Sequence, residues 1–385
     1  MILGIDNVKM RAVLSSIHRW LGLTFGAVVA VMATTGAMLS FEDGMMDSLS
    51  PHVVRLTGAE APFLRPDDLL ARVGRADPRF RVERLTIYSD HRRSWRLRLA
   101  GERPWMRERE IYIDPRDGRI IGARNGQSFF DCVEDIHRFL ALPGRGSGPG
   151  RQITAIAALC VVYLSLSGIY LRWPRKPFSW RPWFAIDFRR RGAPLYRNLH
   201  AVIGGWGAIL YLVSGLTALW WSYGWYRSGV QHLLDAVPER PRPAVVSTPA
   251  VYGAAVYGTV WSRFDANVEP DFGAATIFMA AHGNPIRISR LAAHARHGHM
   301  TDDYYFDARD GRQIKIDLYR NRNAGAVIAT SMFEVHRGSF LGLPGQIVMV
   351  VSSLSVTFLF ATGTWMYFLR KRRTGETREV AKGRA

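Results

Sequence analysis

The chain alternates between long apolar runs and longer polar segments. Four apolar runs, at 20–41, 153–173, 202–223 and 346–369, contain few or no charged residues. A helix needs about 20 mostly apolar residues to cross about 30 Å of hydrocarbon. In lipid the backbone must satisfy its own hydrogen bonds, which favours helices for runs of this length. The pattern therefore predicts an integral membrane α-helical protein with four transmembrane helices.

The polar segments complete the predicted domain order. It comprises an N-terminus with transmembrane helix 1 at 1–41, a periplasmic domain at 42–150, helix 2 at 151–173, a basic cytoplasmic loop at 174–198, helix 3 at 199–223, a second periplasmic domain at 224–345, helix 4 at 346–369 and a basic cytoplasmic tail at 370–385. Alternating β-branched and aromatic residues predict strands at 81–89, 94–100 and 109–113, and more loosely at 272–280, 303–306 and 312–318. Each external segment is thus expected to form a small α+β domain.

The formal net charge of +19 is more informative about the orientation of the chain in the membrane than about its binding partners. No nucleic-acid-binding motif accompanies it, so no nucleic acid is expected as a partner. Much of the arginine flanks the apolar runs. Because basic short loops stay on the cytoplasmic side, both chain termini and the basic loop are predicted to be cytoplasmic in a bacterial inner membrane. The first run is long and lacks a small-residue cleavage site, which favours a retained anchor over a signal peptide.

The two halves of the chain repeat one another. Shared motifs are Asp-x-Arg-Asp-Gly-Arg at 114–119 and 307–312, His-Arg at 137–138 and 336–337, and Leu-x-Leu-Pro-Gly at 140–144 and 341–345. Every apolar run also holds a hydroxyl–glycine pair that lets helices approach closely: Thr35-Gly36, Ser167-Gly168, Ser214-Gly215 and Thr362-Gly363. With two spans per half, the copies keep the same orientation. The sequence therefore predicts two tandem repeats related by an axis along the membrane normal.

Four histidines stand at repeat-related positions beside the apolar runs. The predicted axis brings His18 opposite His200 near one membrane face, and His137 opposite His336 near the other. Imidazole is a common axial ligand of haem iron, and bundle interiors often hold cofactors. Each pair is expected to supply both axial ligands of one haem b, giving two haems per chain. A single interfacial histidine is more often a polar anchor, but four at related positions favour ligation.

Neighbouring residues extend this hypothesis. Glycines near the first and third histidines are expected to leave room for a flat macrocycle: Gly22, Gly26, Gly204, Gly205 and Gly207. Arg19, Arg138 and Arg337 directly follow their histidines and are expected to pair with haem propionates. His200 breaks the pattern, because Ala201 follows it and Arg197 lies one turn earlier.

The remaining histidines rank below these four. His52 and His232 fall just after the first and third spans, outside the predicted helices. The tract of His294, His297 and His299 is open to two interpretations: it binds a metal, or it is a solvated polar loop, which is the commoner case.

The chain resembles the PepSY-associated transmembrane family, also called iron-regulated membrane proteins. The resemblance is carried by Ile-His-Arg-Trp-Leu-Gly-Leu at 17–23, Thr35-Gly36, Asp-Pro-Arg-Asp-Gly-Arg at 114–119 with a following Ile-His-Arg, and Trp-Pro-Arg-Lys at 173–176. In size and layout the chain is similar to inner-membrane ferric-siderophore reductases of the FoxB type. That similarity implies two haems and release of iron by reduction, with His18, His200, His137 and His336 as candidate ligands.

Partners and rival functions stay open from the sequence. The expected substrate is a ferric siderophore in the periplasm, received by outer residues such as Trp95, Trp105, Arg107 and Tyr304. The electron donor is a quinol, a flavoprotein or a cytoplasmic reductant. One alternative is a metal or siderophore permease or binding protein without redox turnover. The other is a regulatory PepSY membrane anchor.

Overall fold

The computed structural model describes residues 2–58, 61–76, 81–100, 109–174, 176, 178–236, 255–267, 272–280 and 285–382. The helices are α1 (Ile2–Thr24), α2 (Gly26–Leu39), α3 (Glu42–Leu49), α4 (Pro51–Val54), α5 (Pro66–Ala76), α6 (Gln127–Phe139), α7 (Pro149–Arg172), α8 (Trp180–Phe184), α9 (Ala193–Ser222), α10 (Gly224–Leu233), α11 (Ala255–Asn267), α12 (Ala324–Thr330), α13 (Met332–Arg337) and α14 (Gly342–Lys382). The strands are β1 (Val82–Tyr88), β2 (Trp95–Leu99), β3 (Arg109–Ile113), β4 (Ile120–Gly122), β5 (Phe272–Phe278), β6 (Ile286–Ala292), β7 (Thr301–Phe306) and β8 (Gln313–Asp317).

The chain divides into two compact units. The helical unit comprises Met1–Ser40, Asp131–Arg227 and Val335–Ala385, and the sheet unit comprises Phe41–Phe130 and Ser228–Glu334. The two segments of the sheet unit end earlier than the predicted domains, 42–150 and 224–345, because the chain returns to the helical unit at Asp131 and at Val335, before the second and fourth spans begin.

The helical unit contains the membrane spans. Pro149–Arg172, Ala193–Ser222 and Ser339–Arg372 are each long and apolar enough to cross a membrane. A fourth span is present when the bent pair Val8–Thr24 and Gly26–Leu39 counts as one crossing. The protein is therefore a membrane protein, as the apolar runs predict. The helices of the first and third spans, α1 and α9, begin earlier than the apolar runs at 20–41 and 202–223. His18 and His200 therefore lie within these helices and not ahead of them.

The first span is bent by 60° between α1 and α2, which the sequence pattern did not predict. The Thr24 hydroxyl donates to the Trp20 carbonyl oxygen (2.9 Å), a bond of the kind that often bends helices. Directly after the bend, Gly26 packs against Phe360. A Cβ at position 26 would lie 2.6 Å from that ring, so only glycine allows this approach.

The sheet unit contains one antiparallel sheet of eight strands, in the order β4-β3-β2-β1-β5-β6-β7-β8. Its centre is the pairing of β1 with β5, where Thr86 lies opposite Thr276 and their hydroxyl oxygens are 3.0 Å apart. One face carries the apolar core, which includes Leu85, Leu97 and Ile277, each fully buried. Residues of α5 and α11 pack on that face.

The external segments thus fold together, whereas the sequence analysis expected a separate α+β domain in each half. The predicted strands correspond to β1, β2, β3, β5, β7 and β8, and β6 was not predicted. Each half supplies four strands, but β1 and β5 pair across the halves and the two sets share one core. This pairing could not be read from either half alone, because it joins residues far apart in the chain.

The repeated Asp-x-Arg-Asp-Gly-Arg motif builds two equivalent turns. Asp114 N–H donates to the Arg119 carbonyl oxygen (2.9 Å), and Asp307 N–H donates to the Arg312 carbonyl oxygen (2.8 Å). In the second turn Gly311 adopts a φ of 69°, which favours glycine. Hydrogen bonds from Arg309 lower the pKa of the Asp307 carboxyl to about 2. The motif therefore serves to join strands β3 to β4 and β7 to β8.

Candidate cofactor site in the helical unit

The four repeat-related histidines lie together as two pairs. His18 on α1 faces His200 on α9, with ring centroids 6.4 Å apart and ring planes at 77°. His137 on α6 faces His336 on α13, with centroids 6.3 Å apart and planes at 58°. We call these the first and second histidine pairs. Each pair joins one histidine from each half of the chain, in the combination that the predicted axis requires.

Every one of the four imidazoles bonds a hydroxyl group through Nδ1. The partners are Ser167 for His18 (2.8 Å), Thr362 for His200 (3.1 Å), Thr35 for His137 (3.2 Å) and Thr217 for His336 (2.7 Å). Each partner lies on a span of the same half of the chain, and not on the helix that carries the histidine. Each histidine is therefore positioned by a span other than its own helix.

The tautomer is set by geometry at His137. Its Nδ1 lies 2.8 Å from the Met32 carbonyl oxygen, which can only accept, so Nδ1 donates the hydrogen and Nε2 keeps the lone pair that a metal ligand needs. The four hydroxyls also lie within hydrogen-bond distance of carbonyl oxygens of their own helices; Thr217, for example, donates to Val213 (2.6 Å).

Glycines stand beside three of the four rings. A Cβ at Gly36 would lie 2.9 Å from Cε1 of His137, one at Gly168 would lie 3.5 Å from Cε1 of His18, and one at Gly363 would lie 3.4 Å from Cε1 of His200. The hydroxyl–glycine pairs thus make room for imidazole rings as well as for neighbouring helices. In the third span the hydroxyl that contacts His336 is that of Thr217, and Ser214 contributes its backbone to a hydrogen bond with His336.

The two pairs lie toward opposite ends of the spans. His200 belongs to the first pair, and Thr217, which holds the second pair, lies 17 residues later in the same uninterrupted helix α9. At about 1.5 Å of rise per residue this is roughly 25 Å. This separation is close to the thickness of the hydrocarbon layer, which is about 30 Å.

Other side chains occupy the space beside most of the glycines that were expected to leave room for a macrocycle. Phe360 occupies the space at Gly26, Arg172 that at Gly205 and Tyr211 that at Gly207. A Cβ at Gly22 would have no atom within 4 Å, and one at Gly204 would meet only Leu359 at 3.8 Å. Open space therefore remains at Gly22 and Gly204 alone among the five.

The arginines that follow the histidines have local partners. Arg138 forms an ion pair with Glu134 (2.6 Å), Arg19 donates to the Ser16 hydroxyl (3.4 Å) and Arg337 donates to the Ser339 hydroxyl (3.3 Å). Two other arginines, which the sequence analysis did not propose as cofactor contacts, bond backbone carbonyls beside the pairs. Both belong to α7, where they flank the apolar run, and this flanking position was the only signal for them.

Arg172 and Arg151 fasten α7 to α9 beside the two pairs. Arg172 donates to the carbonyl oxygens of Ala201 and Val202, the residues directly after His200. Arg151 donates to the carbonyl oxygen of Trp221, whose ring centroid lies 5.5 Å from that of His336. Each pair thus has a guanidinium from the second span close to it.

The other candidate residues lie elsewhere. Within the described part of the chain, no group of three or more His, Cys, Asp or Glu side chains could hold a metal ion. In the sheet unit His299 bonds the buried carboxylate of Glu334 (2.9 Å), and His297 is buried. Trp95 and Tyr304 belong to the core and are not available to a substrate, because their alternating strand positions face inward. Trp105 and Arg107 lie outside the described residues.

The spans define a membrane protein whose helical unit contains two opposed histidine pairs. Residues 15–371 match the family described as PepSY-associated TM region, and the chain belongs to that family. The match confirms the family predicted from the motifs. Among curated proteins, none matches the chain.

Proposed function

We propose that the protein is a di-haem reductase of the bacterial inner membrane, which passes electrons across the membrane to a ferric siderophore in the periplasm. Reduction releases the iron, because siderophore oxygens are hard ligands that hold Fe(III) far better than Fe(II). The similarity to FoxB-type reductases belongs to this proposal. So does the tandem duplication, which the symmetric strand order β4-β3-β2-β1-β5-β6-β7-β8 supports.

The spacing of the histidine rings is the observation that carries the proposal. Two metal–nitrogen bonds of about 2 Å, with about 1 Å from each nitrogen to its ring centre, place coordinating imidazoles about 6 Å apart. The two pairs have centroid separations of 6.4 Å and 6.3 Å. A metal held by only two protein ligands must receive its other ligands elsewhere. A haem provides four from its macrocycle, so the residues fit this group.

The chain's own residues would hold and orient the group. His18 with His200, and His137 with His336, would supply the axial nitrogens, and the four hydroxyls would fix the ring orientations. The half-buried position of the pairs among apolar helices would limit the access of water to the metal. When bound, each haem supplies a one-electron Fe(III)/Fe(II) couple whose potential depends on these axial ligands and their hydrogen bonds.

The proposed orientation follows from charge. The loop between the second and third spans and the tail after the fourth carry clusters of arginine and lysine, which favour the cytoplasmic side. The first histidine pair then lies near the cytoplasmic face, where a quinol or a cytoplasmic reductant would deliver electrons. The second pair then lies near the periplasmic face.

The test is the haem content of the purified full-length chain. We expect a b-type spectrum in the dithionite-minus-oxidised difference and two haems per chain. His200→Ala and His336→Ala should each remove one haem, whereas His52→Ala, at an exposed helix, should remove none. A colourless protein from haem-replete cells ends the proposal. Bound metal without haem would instead support the permease. Function that survives both histidine substitutions would support the regulatory anchor.

A further inference from the structure

The connection between α7 and α9 is longer than two neighbouring helices require. It runs from 173 to 192, whereas connections between packed helices are commonly about two to eight residues long. Its second part contains the short helix α8 and is rich in aromatic and basic residues. We call residues 178–191 the aromatic loop.

The aromatic loop exposes large apolar side chains. Four of its aromatic residues have more than half of their surface accessible: Phe178, Trp180, Phe184 and Phe188. Single exposed apolar residues are common on soluble proteins, but a cluster of this size marks a surface that meets a membrane or a partner.

Contacts with α9 place the aromatic loop beside the apolar run of that helix. Trp206 Nε1 donates to the Trp183 carbonyl oxygen (2.9 Å), and the Trp206 ring stacks on that of Phe184 with centroids 6.4 Å apart. Trp206 lies inside the apolar run at 202–223, six residues past His200, which is about 9 Å along the helix. The loop therefore turns back along the span and reaches the level of the lipid.

Backbone groups of the aromatic loop are paired in the way that contact with lipid requires. Arg172, at the end of α7, donates to the carbonyl oxygens of Pro182 and Trp183. Within α8 the Ala185 N–H donates to the Arg181 carbonyl oxygen (2.9 Å). Unpaired backbone groups are costly in lipid, so these bonds let α8 lie at the edge of the hydrocarbon.

The polar side chains of the aromatic loop are mostly positive. Arg181, Arg189, Arg190 and Arg191 are exposed, and Asp187 is the only acidic residue of the loop. Asp187 pairs with Arg190 (2.9 Å), whereas Arg181 and Arg191 form no ion pair with any residue that the structure describes. Basic residues beside a span are attracted to anionic lipid headgroups. The charge of the loop thus complements an anionic membrane surface.

We propose that the aromatic loop lies in the membrane interface, with its aromatic side chains among the lipid chains and its arginines bound to the phosphate groups of anionic phospholipids. Aromatic rings concentrate at the headgroup level, and helices with one apolar and one basic face lie in that plane. Arg172 also donates to Ala201 and Val202, directly after His200, so bound lipid stabilises this part of α9 as well. Lipid binding depends neither on haem nor on the proposed reduction.

Brominated phospholipid tests the insertion, because it quenches a fluorophore that reaches the lipid chains. Phe178→Cys in the full-length chain, combined with Cys132→Ser, is labelled with a polarity-sensitive fluorophore and reconstituted into vesicles of phosphatidylcholine and phosphatidylglycerol. We expect bromination of the lipid chains to quench the emission. Arg92→Cys, in an exposed turn of the sheet unit, should lose none. The chain with Cys132→Ser alone should take up no label, because Cys160 is buried.

Native mass spectrometry of the full-length protein, titrated with phosphatidylglycerol or phosphatidylcholine, tests the headgroup contact. We expect phosphatidylglycerol to bind more tightly. Arg189→Gln combined with Arg191→Gln should weaken it about tenfold, because each basic residue beside an anionic lipid adds to binding. Arg92→Gln combined with Arg320→Gln removes the same charge from exposed positions of the sheet unit and should change nothing.

Replacement of Arg189 and Arg191 by lysine keeps the charge in case the Gln variant does not fold, and should retain the preference for phosphatidylglycerol. A label at position 178 that bromination leaves unquenched means that the loop faces water, as a docking surface for a soluble protein would, and overturns the proposal. Equal binding of the two lipids, or unchanged binding in the Gln variant, overturns it as well. A colourless protein that passes both tests loses the reductase and keeps the lipid contact, whereas a haem protein that fails them does the reverse.

Discussion

Nδ1 of His336 lies 2.7 Å from the Thr217 hydroxyl oxygen, although 119 residues separate the two in the chain. The same relationship recurs at His18, His200 and His137, each of which contacts a hydroxyl on a span of its own half. The hydroxyls give each histidine a defined ring orientation. Outer contacts of this kind are what turn four separate histidines into two opposed pairs.

Replacement of this hydroxyl should weaken cofactor binding at one site only. Thr217→Val keeps the side-chain shape but removes the hydrogen-bond partner of His336, and we expect the haem affinity of the second pair to fall about 10- to 100-fold. Haem titration of the apoprotein measures this. Thr330→Val is the control, because that hydroxyl bonds only its own helix, at Ala326 (2.8 Å). Equal affinities in the two variants would remove the role given to Thr217.

The glycines beside the rings should differ in their tolerance of a methyl group. In Gly36→Ala the new Cβ would lie 2.9 Å from His137, whereas in Gly168→Ala it would lie 3.5 Å from His18, an ordinary contact. We expect the first substitution to displace His137 and cost one haem, and the second to keep both. Haem-to-protein ratios distinguish the variants. Because alanine is the better helix former by about 1 kcal/mol, a loss in Gly36→Ala has a steric cause.

The stability of the sheet unit should fall in acid through Asp307. Its pKa is about 2 in the folded chain, and an unfolded aspartate has a pKa of about 3.9. Its contribution to stability is therefore complete above about pH 4 and is lost as the pH falls toward 2. Denaturant unfolding at several pH values should show a steeper loss for the unaltered chain than for Asp307→Asn. Parallel curves would contradict this.

A cavity in the shared core of the sheet should lower the free energy of unfolding strongly. Leu97 is fully buried in β2, and we expect Leu97→Ala to lower the free energy of unfolding by about 2–5 kcal/mol. Ile316 in β8 is 44% exposed, so Ile316→Ala should change the free energy of unfolding by less than about 0.5 kcal/mol. Denaturant unfolding of the full chain, followed by tryptophan fluorescence, measures both. Similar values for the two would mean that Leu97 is not part of a packed core.

Local patterns predicted the membrane helices, because apolar runs locate the spans. Repeat spacing also indicated which histidines lie together, His18 with His200 and His137 with His336, whereas their role as cofactor ligands stays a prediction. Contacts between distant segments could not be predicted in the same way. Thr217 contacts His336 from a different helix, and Gly26, directly after the bend, packs against Phe360 of the last span. Neither is visible in the composition of a single segment.

The pairing of β1 with β5 imposes an order on biosynthesis. Thr86 and Thr276 are 190 residues apart, and two membrane spans separate them in the chain. When the first four strands emerge from the ribosome, β1 is an open edge whose partner does not yet exist, and such an edge readily pairs with other chains. The first half must therefore persist beside the membrane with this edge unprotected until the third span has inserted and β5 has followed it. Nascent-chain quality control would act during that interval.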